Sequence, residues 1–598
     1  MLLILLVATL VRLPTLRQPL AEAHAFRQTQ TAYTARLFHD QGVDLIHPQL
    51  PVLGEPWEVP FEFPLFQALA SIPMSFGMSA DSAMRTTGLI TFLVTALLVW
   101  GLVRYVTRRP VPALAALVAF SFSPLGLLWG RTSMIEYLAT AGAVAFALAS
   151  IRWLDRGRWW WAAAAICGGV VGMLIKPPTV VFWVFPVLGW AMERSGRGES
   201  AGGFLQRTKE TLTFRLMGVL GPPFVAAIIW TRHADAIKAA SPTTEWLTEG
   251  ALRSWNYGTV SQRFAAENWF VVLNRIDDFL LGPIIWLPLL FLGLLGRHHR
   301  WFWGGIVLTA ILPVAVFFNL FLVHDYYLVA ISPSIAMLIG AGVGWIHARI
   351  HGRYGSTLTA GATVLLACAW LFSTLFPSFS YWRAAYASID RSTLAAEVPD
   401  VTAPNDRVIV VGLDWSPHLL YYANRRGLML TPHLDRSNVI AEARRRGYEY
   451  FVALDPAVDP VHLTNAWPWV GVVGEHVYRL GENLADAMPA AVLGTSETEE
   501  FQTAASSGES LVGRELGLNC GVPHYLPRGA EGTWIQVRAE ANDRVRIWID
   551  YGLAPVANVD VIAVPTRDAT IPLTLMCSGV DSVDVQAMFS ASVPGADA

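Results

Sequence analysis

Lysine, cysteine and charged residues of either sign are scarce in this chain of 598 residues. Charged residues make up 15% of it and hydrophobic residues 54%, whereas an average soluble domain carries roughly 25% charged residues. Because the apolar residues fall in long repeated runs, a purely soluble protein, a disordered chain and a coiled coil are excluded. Four cysteines also exclude a disulfide-dense scaffold. The sequence predicts a polytopic α-helical membrane protein.

The scarcity of lysine and the positions of the four cysteines each allow a further inference. Nearly all basic charge is arginine, which is typical of a GC-rich bacterial genome, and the net charge of −3 gives no reason to expect nucleic acid as a partner. Cys167 and Cys368 lie in apolar runs and are expected to pack as small residues. Cys520 and Cys577 lie in the polar C-terminal region. The sequence is compatible there with a disulfide between them and also with two free thiols.

Eleven apolar runs approach the roughly 20 residues that a helix needs to cross a bilayer core. They cover residues 2–16, 86–106, 111–129, 137–154, 159–175, 177–193, 214–232, 279–296, 301–322, 328–347 and 356–377. We therefore expect about eleven transmembrane helices in residues 1–380. The first run is short and Arg12 interrupts it, so a cleaved signal peptide is the alternative there.

Arginine and lysine concentrate in every second loop between these runs. The basic loops lie at residues 104–109, 152–158, 194–215, 297–300 and 349–353. Because positive charge favours the cytoplasmic side, these loops predict a cytoplasmic N terminus and an extracytoplasmic region beyond residue 380. The expected location is the bacterial cytoplasmic (inner) membrane.

Two stretches outside the membrane are large. The first outer loop, residues 17–85, is expected to carry two interfacial helices, one of them over Glu62–Gly77. The C-terminal region begins with a small α/β unit, 381–482, and continues through a linker, 483–510, rich in Ala, Ser, Thr and Glu.

Residues 511–598 follow the linker and alternate apolar and polar residues in short runs. This pattern predicts an antiparallel β-sandwich. The strands predicted in the two parts are Arg407–Gly412 and Tyr448–Leu454, flanking a helix over Arg436–Gly447, and then Thr533–Ala539, Val545–Ile549, Val559–Val564, Ile571–Met576 and Val583–Phe589.

An unusual polar segment follows the first apolar run, where Glu22, His24, Arg27 and Gln28 stand close together. A carboxylate beside the membrane can act as general base toward an acceptor hydroxyl or amine. An adjacent arginine can hold a phosphate through a forked, charge-assisted contact. The alternative is that these residues only cap a solvated helix start.

Further polar residues are predicted at the outer ends of later runs, where ionisable groups are costly. Glu62 opens the second interfacial helix, where the helix dipole alone would favour it. Arg131 and Glu136 follow Ser123-Pro124 and could simply pair with each other. Lys176, before two prolines, is explained either by snorkelling or by a lipid phosphate.

The sequence His324-Asp-Tyr326-Tyr327 follows the ninth run. Tyrosines at this level can belong to the aromatic belt, but two hydroxyls and an imidazole together can hydrogen-bond a phosphate or a sugar. No metal-ligand spacing and no nucleotide or hydrolase motif accompanies them, so a divalent metal is unsupported. A sugar donor on this side of the membrane would have to be lipid-linked.

Taken in order, these motifs resemble the GT-C superfamily of membrane glycosyltransferases, in the branch of the protein O-mannosyltransferases and the lipid A aminoarabinose transferase. The resemblance spans residues 1 to about 380 and rests on Glu22-x-His-x-Phe-Arg-Gln-x-x-Thr-Ala32, Glu62-Phe-Pro-Leu65, Ser123-Pro…Arg131…Glu136, Lys176-Pro-Pro178 and His324-Asp-Tyr-Tyr327.

The resemblance implies a polyprenyl-phosphate sugar as donor, with a glycan, lipid or protein as acceptor. Glu22 occupies the place of the family's catalytic acid, without the second acid that relatives often carry beside it. Glu62 matches the family's acid before the first-loop proline. Arg131, Lys176 and Tyr326 or Tyr327 match the donor-phosphate contacts.

Two other functions are consistent with parts of the sequence. A transporter or flippase of lipid-linked sugars would share the topology and the charges at membrane depth, but transporters usually show internal pseudo-symmetry, and we find no internal repeat. A non-enzymatic scaffold with a polysaccharide-binding β domain would not need eleven spans. The sequence favours the transferase.

Overall fold

The structure is a computed structural model. It describes residues 1–195, 214–296 and 299–376, and beyond them Ala395, 398–400, 402–411, 413–431, Ala443, 446–453 and the strands after residue 468. The chain divides into two compact units. The first consists of Met1–Leu50 and Glu58–Asp390, and the second of Pro51–Trp57 and Arg391–Ala598.

The first unit is helical. Its first ten α-helices are α1 Leu2–Arg12, α2 Ala25–Gln41, α3 Leu65–Ser75, α4 Ala80–Thr107, α5 Pro110–Phe122, α6 Pro124–Trp129, α7 Glu136–Arg156, α8 Trp159–Ile175, α9 Pro177–Val180 and α10 Val184–Ser195. Further helices are Phe214–Ala239, Arg253–Tyr257, Val260–Phe264, Ala266–Ile276, Leu287–Leu292, Arg300–Val316, Phe318–Val323, Ser332–Tyr354 and Ser356–Leu375.

Each of the eleven predicted runs coincides with one of these helices or with a series of short ones, when single 3₁₀ and π turns such as Ile284–Trp286 are included. Among the described residues, three helices are long and apolar enough to cross a membrane: Ala80–Thr107, Glu136–Arg156 and Ser356–Leu375. A fourth crossing is added if the pair Ala266–Leu281 and Ile284–Leu295, bent by 71°, counts as one span. The number of eleven stays a prediction. Both helices expected in the first outer loop are present, as α2 and α3.

Several predicted runs are broken in the middle, and prolines explain two of the breaks. The residue before a proline disfavours helical torsions, whereas proline is well suited to the first turn of a helix. Ser123 therefore ends α5, and its hydroxyl accepts a hydrogen bond from the Gly126 N–H at 3.1 Å to cap α6. Lys176 is extended (φ −157°) between α8 and α9, because Pro177 follows it.

Arg12, which interrupts the first run in the sequence, is fully buried at the end of α1. Its guanidinium donates to the carbonyls of Ala8 at 2.6 Å, Ser121 at 2.7 Å and Gly126 at 2.8 Å. The first helix thus uses its charged residue to satisfy backbone acceptors at the α5–α6 break, which is a structural role.

Glycines allow α7 and α8 to pack closely. A Cβ added at Gly142 of α7 would stand 2.7 Å from the Gly168 carbonyl oxygen and 2.7 Å from the Gly172 nitrogen, both in α8. Small residues at matching positions let helix backbones approach in this way. The contact fixes α7, which begins at Glu136, against α8, which ends just before Lys176.

The second unit contains a five-stranded sheet in the order β2-β1-β3-β5-β4. Its strands are β1 Arg407–Val411, β2 Arg426–Leu430, β3 Tyr448–Ala453, β4 Trp469–Val472 and β5 Val477–Leu480. β1 pairs in parallel with β2 and β3, and β5 pairs antiparallel with β3 and β4. The first two strands predicted from the sequence are therefore present, whereas β2, β4 and β5 were missed. Most of the predicted helix Arg436–Gly447 lies outside the described residues.

Residues Pro51–Trp57, from the first outer loop, extend this sheet at β2. The Met429 N–H donates to the Val52 carbonyl at 2.7 Å, and the Gly427 N–H donates to the Pro51 carbonyl at 3.0 Å. Leu53 is fully buried. Nothing in the sequence pattern indicated that this part of the loop belongs to the C-terminal unit.

Two four-stranded antiparallel sheets follow, in the orders β10-β9-β12-β7 and β11-β8-β13-β6. Their strands are β6 Arg514–Asn519, β7 Pro523–Pro527, β8 Thr533–Val537, β9 Arg544–Ile549, β10 Gly552–Val556, β11 Asp560–Ala563, β12 Thr570–Ser578 and β13 Ser582–Phe589. The five strands predicted here are present. Their packing as a β-sandwich stays a prediction, and the linker 483–510 and Cys520 lie outside the described residues.

Candidate functional site

The polar residues singled out in the sequence come from five places in the first unit where regular helices start or break. These are the start of α2, the approach to α3, the turn between α6 and α7 together with the α8–α9 break, and the segment after Val323. Five distant parts of the chain thereby contribute polar side chains to this region.

Glu22 is held between two buried arginines. Its Oε1 lies 2.7 Å from the Arg85 guanidinium and its Oε2 lies 2.6 Å from that of Arg131. Both arginine side chains are fully buried, and 8% of the Glu22 side chain is exposed. Gln28 connects the same carboxylate to the α6–α7 turn, because its amide reaches Glu22 Oε1 at 3.5 Å while its Oε1 accepts from the Ser133 N–H at 3.3 Å.

Two structural alternatives left open by the sequence are wrong. Glu22 caps no helix, because α2 begins at Ala25 after an N-cap His24 that makes no side-chain capping bond. Arg131 pairs with Glu22 and not with Glu136, whose partner comes from another helix break.

That partner is Lys176. Its ammonium pairs with Glu136 Oε1, and both side chains are more than nine-tenths buried. The same ammonium lies 4.0 Å from the ring centroid of Tyr327 and 5.1 Å from that of Tyr326. Lys176 therefore does not snorkel to the surface. Glu136 Oε2 is buried without a hydrogen-bond partner, so the pair retains an unused acceptor.

Arg27 forms an ion pair with Glu62, and both side chains are largely buried. The Arg27 guanidinium also donates to Gln30 Oε1 at 2.7 Å. Glu62 stands before α3 and is thus engaged by a charged partner, beyond any effect of the helix dipole. Together with Gln67, these side chains line one part of a small cavity.

The side chain of His24, at the start of α2, contacts the segment after Val323. Its Nε2 lies 2.9 Å from Asp325 Oδ1, and its ring contacts those of Trp129 at 5.3 Å and Tyr326 at 4.9 Å. His24 adopts the left-handed conformation (φ 54°), which is uncommon for a residue other than glycine and is often retained at functional sites.

His324 and Tyr326 have ionisation states set by burial. Burial and the neighbouring His24 and Lys176 lower the pKa of His324 to about 4, so its imidazole is neutral near pH 7. Burial raises the pKa of Tyr326 well above its ordinary value, so its hydroxyl stays protonated. The rings of His324 and Tyr326 stack with centroids 5.0 Å apart. Both groups are neutral and able to donate hydrogen bonds.

The structure thus places the eleven residues singled out in the sequence in three sets of buried or partly buried contacts: Glu22 with its arginines, Lys176 and His24 with the tyrosines, and Arg27 with Glu62. The three sets approach one another at the start of α2, because Glu22, His24 and Arg27 are neighbours in the chain.

The structure adds Arg85, Asp325 and Trp129 to these contacts. Arg85 could have been found from the same signal as Lys176, an isolated cation at the outer end of an apolar run. Trp129 had no such signal, because its neighbours are apolar. Among the described residues no group of three His, Cys, Asp or Glu side chains could hold a metal ion.

The fold of this chain is similar to that of solved membrane-protein structures. ArnT from Cupriavidus metallidurans superposes with a TM-score of 0.52 at 13% identity in its apo state, over 82% of this chain and 98% of that chain. The same protein bound to undecaprenyl phosphate gives 0.52 at 14% identity, over 82% and 99%. The chain has the GT-C fold. The fold expected from the motifs is thereby confirmed.

Two further comparisons are weaker or local. A family described as dolichyl-phosphate-mannose-protein mannosyltransferase matches residues 58–199, the GT-C segment that contains Glu62, Arg131, Glu136 and Lys176. The archaeal oligosaccharyltransferase AglB from Archaeoglobus fulgidus, in complex with an inhibitory peptide and a dolichol-phosphate, gives a TM-score of 0.46 at 11% identity, over 96% of this chain and 95% of that chain. No curated protein matches the chain.

Proposed function

We propose that the protein is an integral-membrane glycosyltransferase that moves a sugar from a polyprenyl-phosphate donor to an acceptor. The observation that carries this proposal is the arrangement of these buried contacts. It places a lysine on the faces of two tyrosines. An acid clamped between two arginines stands two residues before His24, whose ring contacts one of these tyrosines. The GT-C fold and the binding of undecaprenyl phosphate by ArnT support the donor class.

The leaving phosphate is assigned to Lys176, Tyr326 and Tyr327, with Arg27 and Arg131 contributing positive charge. Preorganised donors of this kind stabilise charge that develops as a bond breaks. The phosphodiester of an arriving donor would share the Lys176 ammonium with Glu136 Oε1, and the phosphate monoester that forms when the sugar is transferred carries one more negative charge at that place. The protonated Tyr326 hydroxyl can donate to the same phosphate, and neutral His324 can donate to the phosphate or the sugar.

The acceptor is assigned to Glu22. Each carboxylate oxygen can accept two hydrogen bonds, so Glu22 can bind an acceptor O–H or N–H while Arg85 and Arg131 hold it in place. The acceptor atom attacks the anomeric carbon and the bond to the phosphate oxygen breaks with its electron pair. The acceptor proton passes to Glu22, and polyprenyl phosphate leaves. One displacement inverts the anomeric centre.

The membrane orientation belongs to the same proposal. The candidate site lies at the starts of α2 and α7, the ends opposite to the arginine-rich ends of α4 and α7. Since basic ends favour the cytoplasm, transfer takes place on the outer face of a bacterial inner membrane. By the same rule the region beyond residue 380 is extracytoplasmic, and we assign it recognition of the acceptor.

The deciding experiment uses purified full-length protein in lipid with a panel of radiolabelled polyprenyl-phosphate sugars and a membrane extract as acceptor. Wild type should release polyprenyl phosphate from one donor. Glu22→Gln should reduce release at least about 100-fold, as expected when a general base is lost, and should still bind the donor. Glu267→Gln is the matched control, because Glu267 is exposed on the helix Ala266–Ile276.

Each outcome has a distinct meaning. Release that depends on Glu22 supports the transferase and identifies the sugar. Wild-type turnover in Glu22→Gln would remove Glu22 from the mechanism. Donor binding without release, unchanged by the substitution, would contradict the transferase and favour a transporter of lipid-linked sugars.

A further inference from the structure

The arginine-rich ends of α4 and α7 converge on one aromatic ring. Tyr105 of α4 is buried, and the guanidinium carbons of Arg108, Arg152 and Arg156 lie 4.4, 5.2 and 6.0 Å from its ring centroid. Three cations therefore surround a single tyrosine, in what we call the Tyr105 cluster. Favourable contact with the ring face offsets part of their mutual repulsion.

One carboxylate is built into the Tyr105 cluster, but its bonds are used elsewhere. Asp155 Oδ2 accepts from the Tyr105 hydroxyl at 2.7 Å, and Oδ1 accepts from Trp190 Nε1 at 2.9 Å and pairs with Arg194. Within the described part of the chain, no ion pair joins a carboxylate to any of the three arginines on the ring. The cluster therefore carries excess positive charge.

Arg152 shows this excess most clearly. Its guanidinium lies between the ring of Tyr105 and that of Trp161, 4.5 Å from the latter centroid, and its Nε is buried without a hydrogen-bond partner. A buried charged donor without an acceptor is costly. An anion placed beside Arg152 would satisfy that donor and screen Arg152 from its two neighbours.

The level of the Tyr105 cluster in the membrane indicates which anion is available. From Glu136 to Arg156, α7 rises about 30 Å, which equals the thickness of a bilayer core. Trp159 and Trp160 follow directly and are 72% and 44% exposed, as in the aromatic belt at a membrane interface. The cluster thus stands at headgroup level, on the face opposite to the candidate site.

We propose that the Tyr105 cluster binds the phosphate of an anionic phospholipid headgroup. Planar guanidinium forks match phosphate oxygens and tolerate partial burial better than ammonium groups, and basic pockets between membrane helices bind anionic lipids in this way. Free inorganic phosphate has the same chemistry, so the experiment must separate the two sources. The site is independent of the transferase reaction.

The test uses the full-length protein in neutral detergent. Native mass spectrometry after addition of phosphatidylglycerol should show one retained lipid per chain, and phosphatidylcholine should be lost under the same conditions. The double variant Arg152→Gln/Arg156→Gln should bind phosphatidylglycerol at least about tenfold more weakly, the factor that 1.4 kcal/mol represents. Arg353→Gln is the matched control, because Arg353 is exposed near the end of the helix Ser332–Tyr354.

Equal retention of phosphatidylglycerol by wild type and the double variant would overturn the proposal. Thermal stabilisation of wild type by inorganic phosphate to the same extent as by phosphatidylglycerol would overturn the assignment to a lipid. If the double variant does not fold, Arg156→Gln alone provides the comparison, because Arg156 is exposed. Its retention should fall below that of wild type, and unchanged retention counts against the proposal.

Discussion

At the scale of single residues, variants of the Lys176–Glu136 pair can distinguish a role in stability from a role in the reaction. Lys176→Met leaves a buried carboxylate unpaired, which should cost about 3–5 kcal/mol of unfolding free energy. The double change Lys176→Met/Glu136→Gln removes both charges and should regain most of that loss. Thermal unfolding of both variants and of wild type measures this.

Transferase activity, unlike stability, should not recover in the double variant. If Lys176 holds the leaving phosphate, release of polyprenyl phosphate should stay at least about 100-fold below wild type in the stable double variant as well. Recovery of turnover together with stability would show that Lys176 only balances Glu136.

His324 makes stability depend on pH. Its pKa is about 4 in the folded protein against an ordinary 6.5, so between these values the unfolded chain binds a proton that the folded chain does not. Stability is therefore lost as pH falls from 6.5 to 4, by up to about 3 kcal/mol.

The measurement is the thermal midpoint at pH 7 and pH 5. His324→Gln should lose less stability than wild type over this interval. His39→Gln, at an exposed position of α2, should lose as much as wild type. An equal loss in all three proteins would assign the pH dependence to other groups.

At the scale of elements, the α7–α8 contact depends on the absence of side chains. Gly142→Ala would place a Cβ within 3.0 Å of backbone atoms of α8, and rigid backbone cannot make room as a flexible side chain could. We expect a loss of about 1–3 kcal/mol, with displacement of Glu136 from Lys176 and lower activity.

Gly218→Ala is the control for Gly142→Ala, because a Cβ at Gly218 meets nothing within 4 Å. Gly218 lies in the helix Phe214–Ala239, so alanine should be neutral or stabilise the protein by up to about 1 kcal/mol. Equal thermal stability of the two variants would contradict the role given to the close packing.

The positions of helices were largely predictable from the sequence, whereas their interruptions were harder to predict. Apolar runs reflect burial or lipid contact averaged over many residues. The predicted runs therefore coincide with helices in the structure. The break at Lys176 depends on the local effect of Pro177, and the bend between Ala266–Leu281 and Ile284–Leu295 had no signal that we recognised.

At the scale of the whole molecule, the segment 51–57 comes from a distant part of the chain and covers the β2 edge of the sheet in the C-terminal unit. Residues 391–598 expressed alone should expose the β2 edge that Pro51 and Val52 normally cover, and an uncovered edge favours aggregation. Fusion of residues 51–57 to this fragment through a flexible linker should increase solubility and resistance to proteolysis.

The control for this fusion carries Leu53→Asp, which puts a charge at a fully buried position and should cancel the benefit. A fragment that is equally soluble with and without the segment would show that residues 51–57 are dispensable. Removal of residues 391–598 from the full chain should abolish transfer to the native acceptor if that region recognises it.

The sequence by itself determined that this is a helical membrane protein, which runs are helical and which polar residues are unusual at membrane depth, because hydropathy and charge are local properties of the chain. Only the tertiary structure decided which charges pair. Glu22 lies between Arg85 and Arg131, and Lys176 meets Glu136, because these partners are brought together by helices whose order in space no local pattern encodes. For the same reason only the structure assigned residues 51–57 to the C-terminal sheet, since hydrogen bonds between backbone groups place few demands on the residue types that form them.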